Sequence, residues 1–254
     1  MLFFDLYFPE NLFLSDLFLI LVRFSFILIM GTDLTLVEKF VLLARHPEKA
    51  RFVTAGTQLW YGIAGALLME MSLQERIEIR DGRVNLKNDK KITDPMLSEI
   101  AGMMGKAAKS RKIRYWINRI YRNANKYKKE IITDLVKKGV LRQERKNFLG
   151  LIPYTSNYIR DRRTREKLIR HFKMAVLHPS STEVTGADLA LLGLIEASKM
   201  HKTLSSDKDE LKRIKKELKQ VIEKSPIAGI VDKTIKEVQA AIMVTTVIVG
   251  AGGR

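Results

Sequence analysis

The chain has no cysteine among its 254 residues and only four histidines. Without cysteine there is no disulfide frame, no zinc–thiolate site and no thiol nucleophile. His46, His171, His178 and His201 include no pair with zinc-ligand spacing on one helix face, so no metal site is expected. No glycine-rich phosphate loop follows a strand. The glycines of Gly62 to Gly65 fall inside a helical pattern, and Gly250 to Gly253 lie at the end of the chain. No Ser/His/acid arrangement is readable, and Glu70, Glu75 and Glu78 read as ordinary surface charge. The residues make no case for an enzyme, and no cofactor is expected.

Acidic residues are scarce in one region. Between Lys106 and Lys173 there are 22 Lys+Arg and 5 Asp+Glu, a balance of +17. The remainder holds 23 of each, from totals of 45 and 28, so the whole formal charge of +17 sits in that stretch. Such a field points to an anionic partner, a membrane surface or a nucleic acid. A hydrophobic fraction of 46% excludes a disordered basic tail, and the length suits one or two domains with a real core.

Residues 1–31 differ from the rest. Seven of the 11 phenylalanines lie in the first 26 residues, and Leu17 to Met30 is apolar apart from Arg23 and Ser25. The run is shorter than the roughly 20 residues a spanning helix needs, and it lacks the basic start and small-residue cleavage site of a signal peptide. Three readings stand: a membrane-seeking helix, a segment packed on the core, or upstream DNA read through to an early start, with Met30 the true initiator. The last is favoured, because a normal domain, 32–254, begins directly afterwards. From Met30, Met-Gly-Thr-Asp-Leu-Thr fits the loose myristoylation pattern.

In the rest, periodicity predicts a mainly α fold: one helical-bundle domain with one or two small β-hairpins. Leu34 to Leu43 reads as an amphipathic helix with Thr35 as N-cap and Glu38 at capping-box spacing. Gln58 to Leu73 is apolar almost all round, which predicts a central helix. Arg76 to Leu86 alternates about Asp81-Gly82, a hairpin signal. Asp94 to Lys109 reads as helix. Ile113, Trp116, Ile117, Ile120, Ala124, Tyr127, Ile131 and Leu135 predict one long helix ending at Gly139. Val140 to Tyr154 reads as a hairpin or extended loop. Helices follow over Arg162 to Leu177, Asp188 to Lys199, Ser206 to Lys224 and Lys233 to Val249.

On the long helix, Lys112, Arg119 and Lys126 recur every seven residues, as do Arg122 and Lys129, which predicts one basic face. Arg163, Lys167 and Arg170 stack similarly on the next helix. The apolar run Phe148-Leu149-Gly150-Leu151-Ile152-Pro153-Tyr154 lies among these cations. It suits an interfacial anchor, a protein contact or a buried strand pair.

Four segments resemble one family in order and spacing: LTLVEKFVLL at Leu34 to Leu43, GIAGALLMEMSLQERI at Gly62 to Ile77, DLVKKGVLRQERKNFLGLIPY at Asp134 to Tyr154, and REKLIRHFKMAVL at Arg165 to Leu177. Together they resemble the Golgi phosphoprotein 3-like family over Leu34 to Val249. The resemblance implies a helical bundle with a β-hairpin used for oligomerisation and membrane contact. It also implies binding of phosphatidylinositol 4-phosphate and, in eukaryotes, retention of glycosyltransferases at the Golgi. The family's headgroup pocket uses a Trp and an Arg near the start of the glycine-containing core helix, and two basic residues before the G-V-L turn. These positions fall on Ala55, Ala64, Asn125 and Lys128. One of the four keeps its charge, which implies general affinity for anionic lipid. Lys126, Arg122 and Lys129 lie beside Lys128 and join it as candidate headgroup residues. Phe148, Leu149, Leu151 and Ile152 are the candidate hairpin contact with a membrane or a second copy.

The resemblance, without the family's acidic N-terminal region, points to a bacterial-type member. It would sit in the cytoplasm, peripheral on the cytoplasmic membrane face, or on the cytoplasmic face of the Golgi if eukaryotic. Two other readings compete. Asn125 to Lys138 and the following hairpin could form a helix-and-wing unit on nucleic acid, although nothing signals base readout. The basic face could also bind an acidic protein, as a scaffold.

Overall fold

The computed structural model describes residues 34–54, 56–87, 91–148, 151–224 and 238–244. They fall in one unit, Leu34–Arg254. The readings made for residues 1–31 lie outside the described residues.

Helix α1 (Leu36–Ala44) starts on the expected capping box: Thr35 N–H donates to Glu38 Oε2 at 2.8 Å, and Glu38 N–H donates to Thr35 Oγ1 at 3.3 Å. Helix α2 (Gly56–Leu73) is the centre of the fold, as its all-round apolar sequence predicts. Twelve of its residues are buried, and it packs on α1 and on three helices that come later. Two glycines permit that packing. A Cβ at Gly62 would strike the ring of fully buried Phe40, and one at Gly65 would lie 2.7 Å from Ile242 and 2.9 Å from Val238.

Strands β1 (Ile77–Arg80) and β2 (Arg83–Leu86) form the expected antiparallel hairpin. Asp81 and Gly82 both have positive φ, 51° and 68°, as a two-residue turn of matching twist requires. Helix α3 (Pro95–Gly105) stops at Gly105, four residues short of the predicted end at Lys109. The chain then adds β3 (Arg111–Lys112) to β2, a strand too short to leave a periodic signal.

The predicted long helix is two helices. α4 (Ile113–Tyr121) and α5 (Ala124–Lys137) are separated by Arg122-Asn123. Every residue of the predicted apolar stripe is buried. The break falls in Arg-Asn-Ala-Asn, where the asparagines have low helix propensity. Both helices pack against α2 as separate elements. Lys112, Arg119 and Lys126 therefore do not share one helix face. α5 ends as expected at Gly139, with φ of +72° and the Val140 amide bonded to the Leu135 carbonyl at 2.9 Å.

Strands β4 (Leu141–Phe148) and β5 (Ile152–Ile159) pair in register from Leu141↔Ile159 at the base to Phe148↔Ile152. Helices α6 (Arg162–Leu177), α7 (Gly186–Ala197) and α8 (Lys208–Lys224) complete the bundle, with residues 238–244 helical. Asp161 caps α6, and Thr185 with Asp188 forms a second capping box at α7, two residues before the predicted start. The fold is mainly α with two small antiparallel sheets, as expected.

α8 is anchored by carboxylates. Glu196 on α7 bonds His201 and is held below the ordinary carboxylate range by that bond and by Lys219 and Lys215. Glu210 is lowered likewise by Lys173 of α6 and Ser205. Both shifts are downward, so their contribution is complete above the unfolded value of about 4.3 and is lost as pH falls through the lower folded values. On acidification below about 4, the amides of α8 should gain hydrogen-exchange rate before those of α2, measured by exchange mass spectrometry.

Gly62→Ala should lower the unfolding free energy. A propensity gain of about 1 kcal/mol is outweighed by overpacking of about 1–3 kcal/mol or more against an immovable ring. At exposed Gly102 a Cβ meets nothing within 4 Å, so Gly102→Ala should stabilise. Urea denaturation of both variants should give opposite signs.

Candidate functional site

The first turns of α5 carry Lys126, Lys128 and Lys129, with no acidic residue in the first turn and no side-chain cap from Asn123. A helix N-terminus is the positive end of the backbone dipole, where cations are disfavoured and anions are welcome. The arrangement is poor for the helix alone and favourable for an anionic guest.

The five predicted headgroup residues do not share one state. Arg122, Asn125 and Lys129 are exposed, and neither Arg122 nor Lys129 has an ion pair among the described residues. The ammonium of Lys126 lies 2.6 Å from Glu99, which raises its pKa, chiefly through that bond. Glu99 also accepts from the Tyr127 hydroxyl, and burial together with this carboxylate pushes the phenol up to about 12. Lys126 is thus committed to α3. Lys128 is half-buried, and its pKa is pulled down by burial, by Lys129 and by Arg45.

Two buried arginines complete the surroundings. Arg45, the C-cap of α1, is 3% exposed. Its guanidinium donates to the Asn157 carbonyl of β5 and lies 4.7 Å from the centre of the Phe52 ring. Arg165, in the first turn of α6, is 8% exposed. Burial lowers both, and the Nε of each is buried without a hydrogen-bond partner. Arg165 also acts on His46, which is held below its ordinary value by desolvation, then Arg51 and Lys49, with Arg165 adding to these. Arg45, His46, Lys128 and Arg165 are therefore electrostatically linked around the foot of the β4–β5 hairpin. No carboxylate forms an ion pair with Arg45, Lys128 or Arg165 among the described residues. Burying an unpaired charge is costly, so such a set invites an external anion.

Neither arginine was singled out from the sequence, although both left a signal. Val37, Val41 and Arg45 step by four along the buried face of α1. Arg165 leads the inward stripe Leu168, Ile169, Phe172 and Val176 of α6. A charge on an apolar stripe is the trace of a buried cation.

Elsewhere the basic stretch is partly neutralised. Lys138 lies 2.6 Å from buried Glu38, Lys137 3.0 Å from Asp134, and Lys173 2.7 Å from Glu210. Arg142 and Lys146 both meet Glu144. Arg163, Lys167 and Arg170 are exposed, as their spacing predicts.

The hairpin is buried only at its foot. Leu141 and Ile159 are packed at the base, and the Arg160 and Asp161 amides both donate to the Val140 carbonyl. Eight paired residues carry the strands outward by about 25 Å. At the far end Leu151 is 85% exposed, Ile152 61% and Tyr154 46%. These values exclude the buried strand pair. Leu149 lies outside the described residues, and of Phe148 only the backbone is described.

The two positions that carry Trp and Arg by the resemblance are alanines here. Ala64 is fully buried inside α2, and Ala55 lies outside the described residues. Trp60 is half-buried and meets Tyr121 edge-on at 5.8 Å, and Tyr121 stacks on Tyr61 at 4.2 Å. Among the described residues no group of three or more His, Asp or Glu could hold a metal ion, and no helix is long and apolar enough to cross a membrane.

These features define a class: a helical bundle that presents unpaired cations beside a projecting hairpin with an apolar end. A sequence model of one family, Golgi phosphoprotein 3 (GPP34), matches residues 36–238. The chain belongs to that family.

Arg45→Ala removes a charged donor to β5 and a ring contact, and should destabilise by about 2 kcal/mol. Arg165→Met removes a buried charge with an unmet donor, and should be neutral or stabilising. Urea midpoints of the two variants check the contrast.

Proposed function

We propose that this protein is a non-enzymatic peripheral membrane protein that docks on anionic phospholipid. The observation that carries the reading is a set of unpaired cations (Lys128, Arg45 and Arg165) around the foot of a hairpin whose far end is apolar and exposed. Lys128, with exposed Arg122, Asn125 and Lys129 nearby, receives the phosphate of the headgroup. The buried guanidiniums of Arg45 and Arg165 supply field and unmet donors behind it. Leu151 and Ile152, with Phe148 and Leu149, enter the interface or meet a second copy of the chain through the hairpin. Lys126 contributes less, because Glu99 already neutralises it.

Two weak anchors acting together suit reversible docking. Each cation near an anionic surface contributes about 1 kcal/mol and is screened within a Debye length. Family membership supports a lipid as the partner. A phosphoinositide monophosphate is the headgroup by kinship, held by a different residue set. The surface engaged is the cytoplasmic face of a membrane.

Sedimentation with neutral and anionic vesicles tests this. Anionic vesicles should bind the protein more tightly, and binding should fall as salt rises. Lys128→Ala should weaken it about fivefold, and Leu151→Asp should weaken it further without changing the melting temperature. Equal partition to neutral vesicles, or unchanged binding by Lys128→Ala, would refute the proposal.

A further inference from the structure

Outside the basic stretch the chain has no net charge, yet the fold separates its signs. A cavity of about 850 Å³ opens between the end of α7, the turn at His201–Thr203 and α8, with Met243 on its wall. Six lysines line it: Lys199, Lys202, Lys212, Lys215, Lys216 and Lys219. All six are exposed. Among the described residues the one carboxylate on the lining, Glu196, is bonded to His201 and also feels Lys219 and Lys215, so six ammonium groups face a single carboxylate. From these observations we infer a second anion site, one that takes a compact ligand bearing several phosphates.

Three features support a ligand over a merely solvated face. Lys212, Lys215, Lys216 and Lys219 are spaced by three and four, so they project from one face of α8, and Lys212/Lys216 and Lys215/Lys219 are like-charged i,i+4 pairs that oppose the helix. Among the described side chains of that helix, the carboxylates Asp209, Glu210 and Glu217 are not on the lining. Lys212 meets Asp209 at 4.0 Å, but among the described residues no ion pair joins Lys215, Lys216 or Lys219 to a carboxylate, so the segregation has a cost that a bound polyanion offsets.

The second feature is Lys199. It follows the C-cap of α7 with φ of +54°, and its amide bonds the Glu196 carbonyl at 3.1 Å while that of Met200 bonds Ile195 at 2.9 Å. This is the left-handed position that glycine fills at least cost. A lysine here gives up backbone comfort and adds an ammonium to the rim.

The third feature is size and chemistry. The volume lies in the small-molecule range and is too confined for a duplex. Lysines are mobile point charges without the fixed fork of arginine, which suits several phosphates at varied angles better than one planar group. The ligand is a multiply phosphorylated small molecule, either free or as the headgroup of a lipid. The site shares no residue with the docking face around Lys128, so each can fail without the other.

The test uses the full chain with inositol hexakisphosphate and adenosine triphosphate as soluble probes and orthophosphate as control, in moderate salt. Thermal shift and titration calorimetry read binding. Both polyphosphates should raise the melting temperature by several degrees, and orthophosphate should not. Lys215→Ala/Lys219→Ala should keep its fold by circular dichroism and lose about tenfold or more in affinity. Lys199→Gly should raise the unliganded melting temperature and shrink the ligand-induced shift. Lys128→Ala should bind the soluble probes as the parent does. Vesicles carrying a bisphosphorylated inositol lipid distinguish the sources: if only these need Lys215 and Lys219, the ligand is lipid-borne and the site stands. If neither probe nor vesicle distinguishes Lys215→Ala/Lys219→Ala from the parent, the inference is wrong.

Discussion

Everything in the bundle depends on the close approach of α1 and the 238–244 helix to α2. That approach exists because Gly62 and Gly65 have no side chain where Phe40, Ile242 and Val238 press in. A helix apolar on every side cannot lie on a surface, so it has to be surrounded. α1, α4, α5 and α7 surround it, and their polar faces become the exterior of the molecule. The charge pattern outside is therefore a consequence of the packing inside. The ends of α1 and α6 and the flank of α5 meet where the hairpin leaves the bundle, and that meeting gathers Arg45, Arg165 and Lys128.

The cations of the basic stretch serve two purposes, and burial separates them. Lys138 on Glu38 and Lys126 on Glu99 fasten one helix to another. Their charge is largely cancelled within a few ångströms, so they add little to the far field. Arg45, Arg165 and Lys128 are not cancelled. Their depressed basicity shows that the protein itself stabilises their charge poorly. A count of positive charge therefore overstates the basic field and does not reveal which members lack an acidic partner.

Much of the fold was legible because it is written in local signals. The Thr35 and Asp81-Gly82 motifs and the glycine at 139 each determine a few residues of backbone by short-range chemistry. The all-apolar helix declares its central place. The break at Arg122-Asn123 was not legible, since the apolar period runs through it unbroken. The strand at Arg111–Lys112 is defined by its partner and has no period of its own. The site was half legible. Lys128 and the hairpin end stand in recognisable segments, whereas Arg45 and Arg165 matter because distant elements bury them. The lysine-lined cavity combines residues 196–220 with Met243 across several turns of chain, and only the fold brings its lysines to one wall.

The β4–β5 hairpin has a further property. A two-stranded sheet has two open edges, and each is a template for another strand. Here Pro153 removes a donor from β5, opposite Asn147, and β4 carries Arg142, Arg145 and Lys146. Positive charge and a missing donor are the means by which natural sheets discourage lateral stacking. The hairpin can therefore expose an apolar end without recruiting strands along its sides. Exposed apolar surface is confined to the extremity, and the sides are protected from aggregation.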